Sequence, residues 1–238
     1  MHIRGHAVKL IILLLGAFVM LYPVLWMISS SLKPNAMIFT DAGLWPSETT
    51  FANYIEGWRG FAGITFDVFF TNSFVIVLFA ILGNVITCSM AAYAFARLNF
   101  SMKSLLFAIM LSTIMLPHHV VLIPQYILFD WLGWVDTFLP LIIPKFLAMD
   151  AFFIFLIVQF IRGLPRELDN AARVDGCGPV QIYIRIIFPL MLPALVTTSI
   201  FTFIWTWNDF NSQLIYLSNP KLYTVTLALR SFLDAMGE

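Results

Sequence analysis

The residues best suited to handling a solute lie where a long apolar run turns polar, at Trp205-Thr-Trp-Asn-Asp-Phe-Asn211. Trp207 offers an aromatic face, and Asn208, Asp209 and Asn211 offer amide and carboxylate groups. Such a set stacks on C–H faces and pairs with hydroxyls; it makes and breaks no bonds. An interfacial aromatic belt with a polar helix cap would use the same residues, and both readings stay open. Asp150 and His118 are further candidates, because polar groups inside apolar spans are functional by default. Lys145 and Asp150 stand five apart, a poor spacing for a helical pair. Lys145 could equally snorkel to an interface. His118 and His119 are adjacent, so a helix would point them to different sides and they would share no metal. Packing or pore lining suits them better than a proton relay. The chain has no zinc spacing, P-loop or hydrolase elbow, so no metal, cofactor or enzymatic activity is expected of it.

A second polar stretch, from Ile161 to Pro189, separates two apolar runs. Pro165 suits a first helical turn, and Glu167 and Asp169 follow it, complementing the helix dipole. Leu168, Ala171 and Ala172 fall at i, i+3 and i+4, which predicts one shared face. Gly176 and Gly178 are expected to end the helix in left-handed conformations. Pro179 then starts a second helix with Val180, Tyr183, Ile184 and Ile187 on one side. The expected product is a helix–turn–helix elbow whose exposed knob is small: Ala171, Ala172 and Gly176. A small knob can sit deep in a partner's groove.

At these residues the sequence resembles the EAA loop of binding-protein-dependent ABC importer permeases. The loop reads Glu-Ala-Ala, three residues, Gly, nine residues, then Ile-x-Leu-Pro. Here the frame is Asn170-Ala171-Ala172, Gly176, and Ile186-Ile187-Phe188-Pro189. Asn170 stands for the Glu and Phe188 for the Leu. The extended pattern, with Pro165, Glu167, Leu168, Asp175 and Gly176, is similar to the carbohydrate branch, in the manner of the second permease of maltose-type systems. "Asn-Ser-Phe…Ala-Ala-Tyr-Ala-Phe-Ala-Arg", "Met-Leu-Pro…Ile-Pro" and "Trp-Asn-Asp-Phe" extend the likeness from Asn72 onward.

The resemblance implies a membrane-spanning permease subunit that imports a sugar or oligosaccharide. A solute-binding protein outside the membrane would deliver the solute. A second permease subunit would complete the pathway, and two ATPase subunits would carry ATP and Mg. It makes Glu167, Asn170, Ala171, Ala172, Asp175 and Gly176 the coupling residues that meet an ATPase. Glycerol phosphate or a peptide is the alternative solute, and a stand-alone secondary transporter the alternative class. The latter would need inverted repeats and its own ion site, and neither is visible.

Composition fits a membrane protein. Of 238 residues 61% are hydrophobic and only 11% charged, against roughly a quarter charged in soluble domains. The mean hydropathy is +0.90. The net charge is zero, so no nucleic-acid footprint exists. Cys88 and Cys177 are expected to be free thiols. The predicted architecture is all-α and polytopic, one transmembrane domain in contact with lipid. Spans are expected at residues 8–32, 69–96, 104–129, 137–161 and 187–217, with the coupling loop at 162–186. A 25-residue helix rises about 37 Å, enough to cross. The first run continues through Tyr22-Pro23 and Trp26, which favours an uncleaved span over a signal peptide. In the second span, Asn72, Asn84, Thr87 and Ser89 are positioned to bond across helices, and Gly83 and the nearby alanines to pack closely. Pro117 and Pro124 should break the third.

With the N-terminus in the cytoplasm, inside segments carry Arg4, Lys9, Arg97, Lys103, Arg162, Arg166, Arg173 and Arg185. Outside segments carry only Lys33, Arg59, Lys221 and Arg230. That bias predicts that the elbow lies inside, and the resemblance implies that the membrane is a bacterial inner membrane. The family has a sixth helix, and nothing after Leu217 is apolar enough for one. The expectation is therefore five spans, from a chain cut short or forming part of a longer polypeptide.

Overall fold

The computed structural model describes residues 2–38 and 40–236, and all of its regular elements are helices. It divides into two compact units, residues 1–66 and 67–238.

The first unit holds α1 (His2–Ser31) and α2 (Ala52–Trp58). From Lys9 to Ser31, α1 is apolar and long enough to cross a membrane. Asn53 caps its end by donating to the carbonyls of Ser31 (3.0 Å) and Lys33 (2.7 Å). Lys33 is buried, with Nζ donating to the Gly43 carbonyl (2.7 Å). Bonds from Ser47 and Gly43 hold the Asp41 carboxyl below its ordinary range.

The second unit is built on α3 (Phe66–Arg97), another helix of spanning length. Its polar residues bond to neighbours, as their placement predicts. Asn72 donates to the carbonyls of Lys221 and Tyr223, both at 2.9 Å. Asn84 donates to Thr202 (3.1 Å), Thr87 to the Lys145 carbonyl (2.9 Å), and Ser89 shares a hydrogen bond with Tyr183 (2.7 Å). A Cβ on Gly83 would lie 2.9 Å from the Lys145 carbonyl carbon, so a glycine is what lets that backbone reach α3. One apolar core joins the Arg97 half of α3 to Phe153, Ile157, Ile161 and Ile187. A second joins Ile76 to Phe129, Leu141, Tyr216 and Leu227.

The later spans depart from continuous helices. The third is two shorter helices, α4 (Lys103–Thr113) and α5 (His118–Trp131), parted at Pro117, while Pro124 sits inside α5 without breaking it. The fourth begins as α6 (Leu139–Ile142), passes through a 3-10 turn (Ile143–Leu147), and resumes as α7 (Ala151–Gly163). Ala148 has φ 53° at that break. α7 thus runs past the expected span end at 161, into the segment assigned to the loop.

The elbow consists of α8 (Glu167–Val174) and α9 (Pro179–Ile182), followed by a π turn (Tyr183–Ile187). The expected fifth span, 187–217, is not one helix. It starts as α10 (Phe188–Leu190), bends 73°, and continues as α11 (Leu192–Trp207). The chain then breaks at Asn208 and resumes as α12 (Phe210–Tyr216). α13 (Val225–Met236) follows. Among the described residues three helical stretches are long and apolar enough to cross a membrane, or four if the bent pair counts as one.

Candidate functional site

Arg97 ends α3, and its Nε lies 3.1 Å from Asp169 Oδ2 of α8. Both side chains are buried, at 4% and 8% exposure. Arg97 Nη2 also donates to the Leu164 carbonyl (2.8 Å), at the extended residue before Pro165. One guanidinium therefore holds both the lead-in and the first turn of α8. Tyr93, one turn back on α3, donates from Oη to the Pro179 carbonyl (3.0 Å) at the start of α9. The end of α3 thus grips both arms of the elbow.

Inside the elbow the expected faces are partly corrected. Asp169 and Ala172 face the core, while Ala171 and Leu168 are exposed. The buried pair stands at i and i+3, so the apolar face is rotated about one residue from the one that Leu168 suggests. Ala172 is only 4% exposed, so it belongs to this chain's own core and not to the knob. The exposed surface holds Glu167, Asn170, Ala171, Val174, Asp175 and Gly176. Of the two acids nearest Asn170, Asp169 is committed inward and Glu167 faces out.

Gly176 has φ +81°, the left-handed geometry expected of a helix stop. Gly178 has φ −77°, so it is extended and opens α9 instead, its N–H donating to Gln181 (3.0 Å). In the second arm the buried residues are Ile182 and Ile187, while Val180 and Ile184 are exposed. The π turn explains this, because its wider winding puts residues five apart on one side.

The solute candidates gather at a second place, a cavity of about 670 Å³ in this unit. Asp150, Asn208 and Asp209 line it, as does Lys145. Lys145 Nζ lies 2.9 Å from Asp150 Oδ2. Five residues is a poor α-helical spacing, but the segment between them is a 3-10 turn that ends at Ala148, and the left-handed turn there closes the pair. Asp209 Oδ1 accepts from the Ser212 N–H (3.1 Å), which is an N-cap of α12. The cap reading and the lining reading therefore hold for one residue.

Trp207 and Asn211 are not in the lining. Trp207 packs with Phe74 (5.1 Å between ring centres) and Phe203 (5.4 Å). Trp205, two residues back and so on another side of α11, lines the cavity in its place. Sequence reasoning also missed Tyr216, Gln125 and Gln213 of the lining. Their signal is weak, since a polar residue in an apolar run does not reveal which cavity it faces. His118 opens α5, and its side chain lies outside the described residues. The described residues include no cluster of metal-ligating groups, and both cysteines are free.

The decisive comparison is with a family profile. Residues 83–236 match that of the binding-protein-dependent transport system inner membrane component. The chain belongs to this family. The matched region contains the elbow, all lining residues except Ile76, and the Arg97–Asp169 pair. The trehalose transport system permease protein SugB of Mycobacterium tuberculosis is 37% identical over 213 residues, covering 89% of this chain and 76% of that protein. The sn-glycerol-3-phosphate transport system permease protein UgpE of Brucella abortus is 29% identical over 235 residues, covering 97% and 81%. A solved bacterial ABC transporter that imports alginate superposes with a TM-score of 0.83 over 98% of this chain and 80% of that one, at 23% identity. That likeness shows the all-helical fold of an ABC importer transmembrane domain. The chain is accordingly a multi-pass inner-membrane permease subunit.

Proposed function

We propose that this permease subunit imports a sugar or oligosaccharide and takes its energy from ATPase subunits docked on the elbow. The exposed end of α8 carries that reading. Ala171 on α8 and Gly176 just past its end present small exposed residues, with Asn170, Val174 and Asp175 beside them, and α8 is tied by a buried ion pair to α3. A helix so tied cannot be displaced by a partner without moving α3. Closing of the ATPases around ATP and Mg would push α8, and α3 would carry the displacement toward the cavity.

The cavity is the solute route in this reading. Its volume falls in the range that holds small ligands, about 300–1,000 Å³. A second permease subunit would supply the facing half, and a binding protein outside would deliver the solute. The Lys and Arg distribution supports a cytoplasmic elbow and N-terminus. SugB, named for trehalose transport, is the relative that supports a neutral sugar.

The test is purification of the tagged chain from membranes that contain its own transport system. ATPase subunits should accompany it in stoichiometric amount, and hydrolysis should rise when the solute-loaded binding protein is added. Isolation of the chain without any ATPase would overturn the reading.

A further inference from the structure

We propose that Lys103, Arg162 and Arg166 hold the phosphate of an acidic phospholipid, whose acyl chain lies along the exposed apolar residues of α4.

The three cations come from three elements. Lys103 opens α4, Arg162 lies in the last turn of α7, and Arg166 stands just before α8. α4 packs against α7, and the charges of Arg162 and Arg166 both reach the Lys103 ammonium. Like charges so placed repel one another, and an anion among them relieves the repulsion. The ion pairs among the described residues are Lys33–Asp41, Arg97–Asp169, Lys145–Asp150 and Arg230–Asp234, so none of the three has a carboxylate partner. Glu167 follows Arg166 directly, yet it pairs with none of them.

Their donors are free as well. Neither guanidinium donates a hydrogen bond to another described residue. Lys103 uses one of its three protons, on the Leu98 carbonyl (2.6 Å). Arg162 is nonetheless held in place. Its Cζ lies 5.2 Å from the centre of the Phe107 ring, and Phe107 packs on Phe95 (5.3 Å). Unused N–H groups on a positioned cation suit the oxygens of a phosphate.

The surroundings select a lipid as the source of that phosphate. Leu106 lies three residues beyond Lys103, on the same side of α4, and is exposed, as are Leu105 and Ile109. A phosphate that carries an acyl chain meets both the cations and this apolar strip. A free phosphate, or the acidic surface of a partner protein, would leave the strip uncovered. A cytoplasmic bias of Lys and Arg accounts for cations near span ends, but not for three that converge and stay unpaired. Acidic leaflets attract basic residues beside a span. A lipid held here would join α4, α7 and the lead-in to α8 at one point.

The experiment uses the permease–ATPase complex purified in a neutral detergent. Dioleoylphosphatidylglycerol, dioleoylphosphatidylcholine and inorganic phosphate are added in turn. Native mass spectrometry counts the lipid retained, and the melting temperature is recorded beside it. The parent should retain phosphatidylglycerol and melt higher with it; phosphatidylcholine and inorganic phosphate should do neither. Lys103→Gln with Arg162→Gln should weaken phosphatidylglycerol binding about thirtyfold, roughly a factor of five for each cation. Arg166→Gln alone should weaken it about fivefold, which keeps the test open if the double variant fails to assemble. Arg59→Gln with Arg185→Gln removes the same charge from exposed positions outside the cluster and should bind as the parent does. Equal retention of phosphatidylcholine by the parent would overturn the proposal, as would equal stabilisation by inorganic phosphate, which would leave an anion site without a lipid. Equal weakening in the two double variants would reduce the effect to overall charge and overturn it too. Loss of the ATPase from the cluster variants, with parental phosphatidylglycerol binding, would assign the cations to the ATPase contact instead.

Discussion

Arg97 Nε and Asp169 Oδ2 lie 3.1 Å apart, and both side chains are almost wholly buried. The pair joins the last residue of α3 to the first turn of α8. Removing one partner of a buried ion pair leaves an uncompensated charge, at about 3–5 kcal/mol. Replacing both by apolar residues of similar size is far milder. Arg97→Met should therefore lower the melting temperature of the assembled complex strongly, and Arg97→Met with Asp169→Leu should restore most of it. A double variant no better than the single one would show that the pair does not hold α8.

Gly176 separates a backbone effect from a docking effect. Its φ of +81° penalises a branched side chain, yet a Cβ there would meet nothing within 4 Å. Within this chain the cost of Gly176→Val is thus conformational, on the order of 1–2 kcal/mol. Asn tolerates the left-handed region better. Gly176→Asn should keep uptake near the parental rate in vesicles, and Gly176→Val should lose it while membrane levels stay normal. Equal uptake by both would mean that the turn does not need its geometry.

At Asp209, cap and charge can be told apart. Asn caps a helix about as well as Asp, whereas Ala loses about 1 kcal/mol. Asp209→Ala should lower the melting temperature by a few degrees, and Asp209→Asn should leave it unchanged. If the carboxylate also helps to set the charge of the route, Asp209→Asn should still alter solute affinity. An Asn variant with parental affinity would reduce Asp209 to a cap.

Orientation is open to labelling. Arg173 and Arg59 are both exposed. Cys177 must first be changed to Ser, since it is only half-buried; Cys88 is buried. Single cysteines at 173 and 59 are then treated in intact cells with a membrane-impermeant reagent. Position 59 should react and 173 should not. The reverse pattern would put the elbow outside and end its coupling role.

Much of the architecture was legible because its signals are local. Asn84, Thr87 and Ser89 stand out as polar residues in an apolar helix, and each found a partner. The proline, glycine and alanine spacing from Pro165 to Pro179 announced an elbow. Failures came where tertiary packing decides. Asp169 reads as a dipole-complementing acid until Arg97, far away in sequence, is seen beside it. Ala171 and Ala172 look alike as small residues, but only the core shows which one is inside. Lys145 and Asp150 are mismatched for a continuous α-helix, and the left-handed turn at Ala148, φ 53°, is what brings them together. Trp207 was preferred to Trp205 because their stretch is polar as a whole, while a helix points residues two apart in different directions.

The coupling claim turns most directly on Ala171. It is exposed on α8, so Ala171→Asp leaves this chain's core intact and puts a charge at the docking surface. The decisive measurement is the amount of ATPase retained when the variant is purified with its partner subunits, beside the melting temperature of the purified membrane subunits. The account predicts an unchanged melting temperature and loss of most of the ATPase. Full ATPase retention, with uptake at the parental rate, would contradict it.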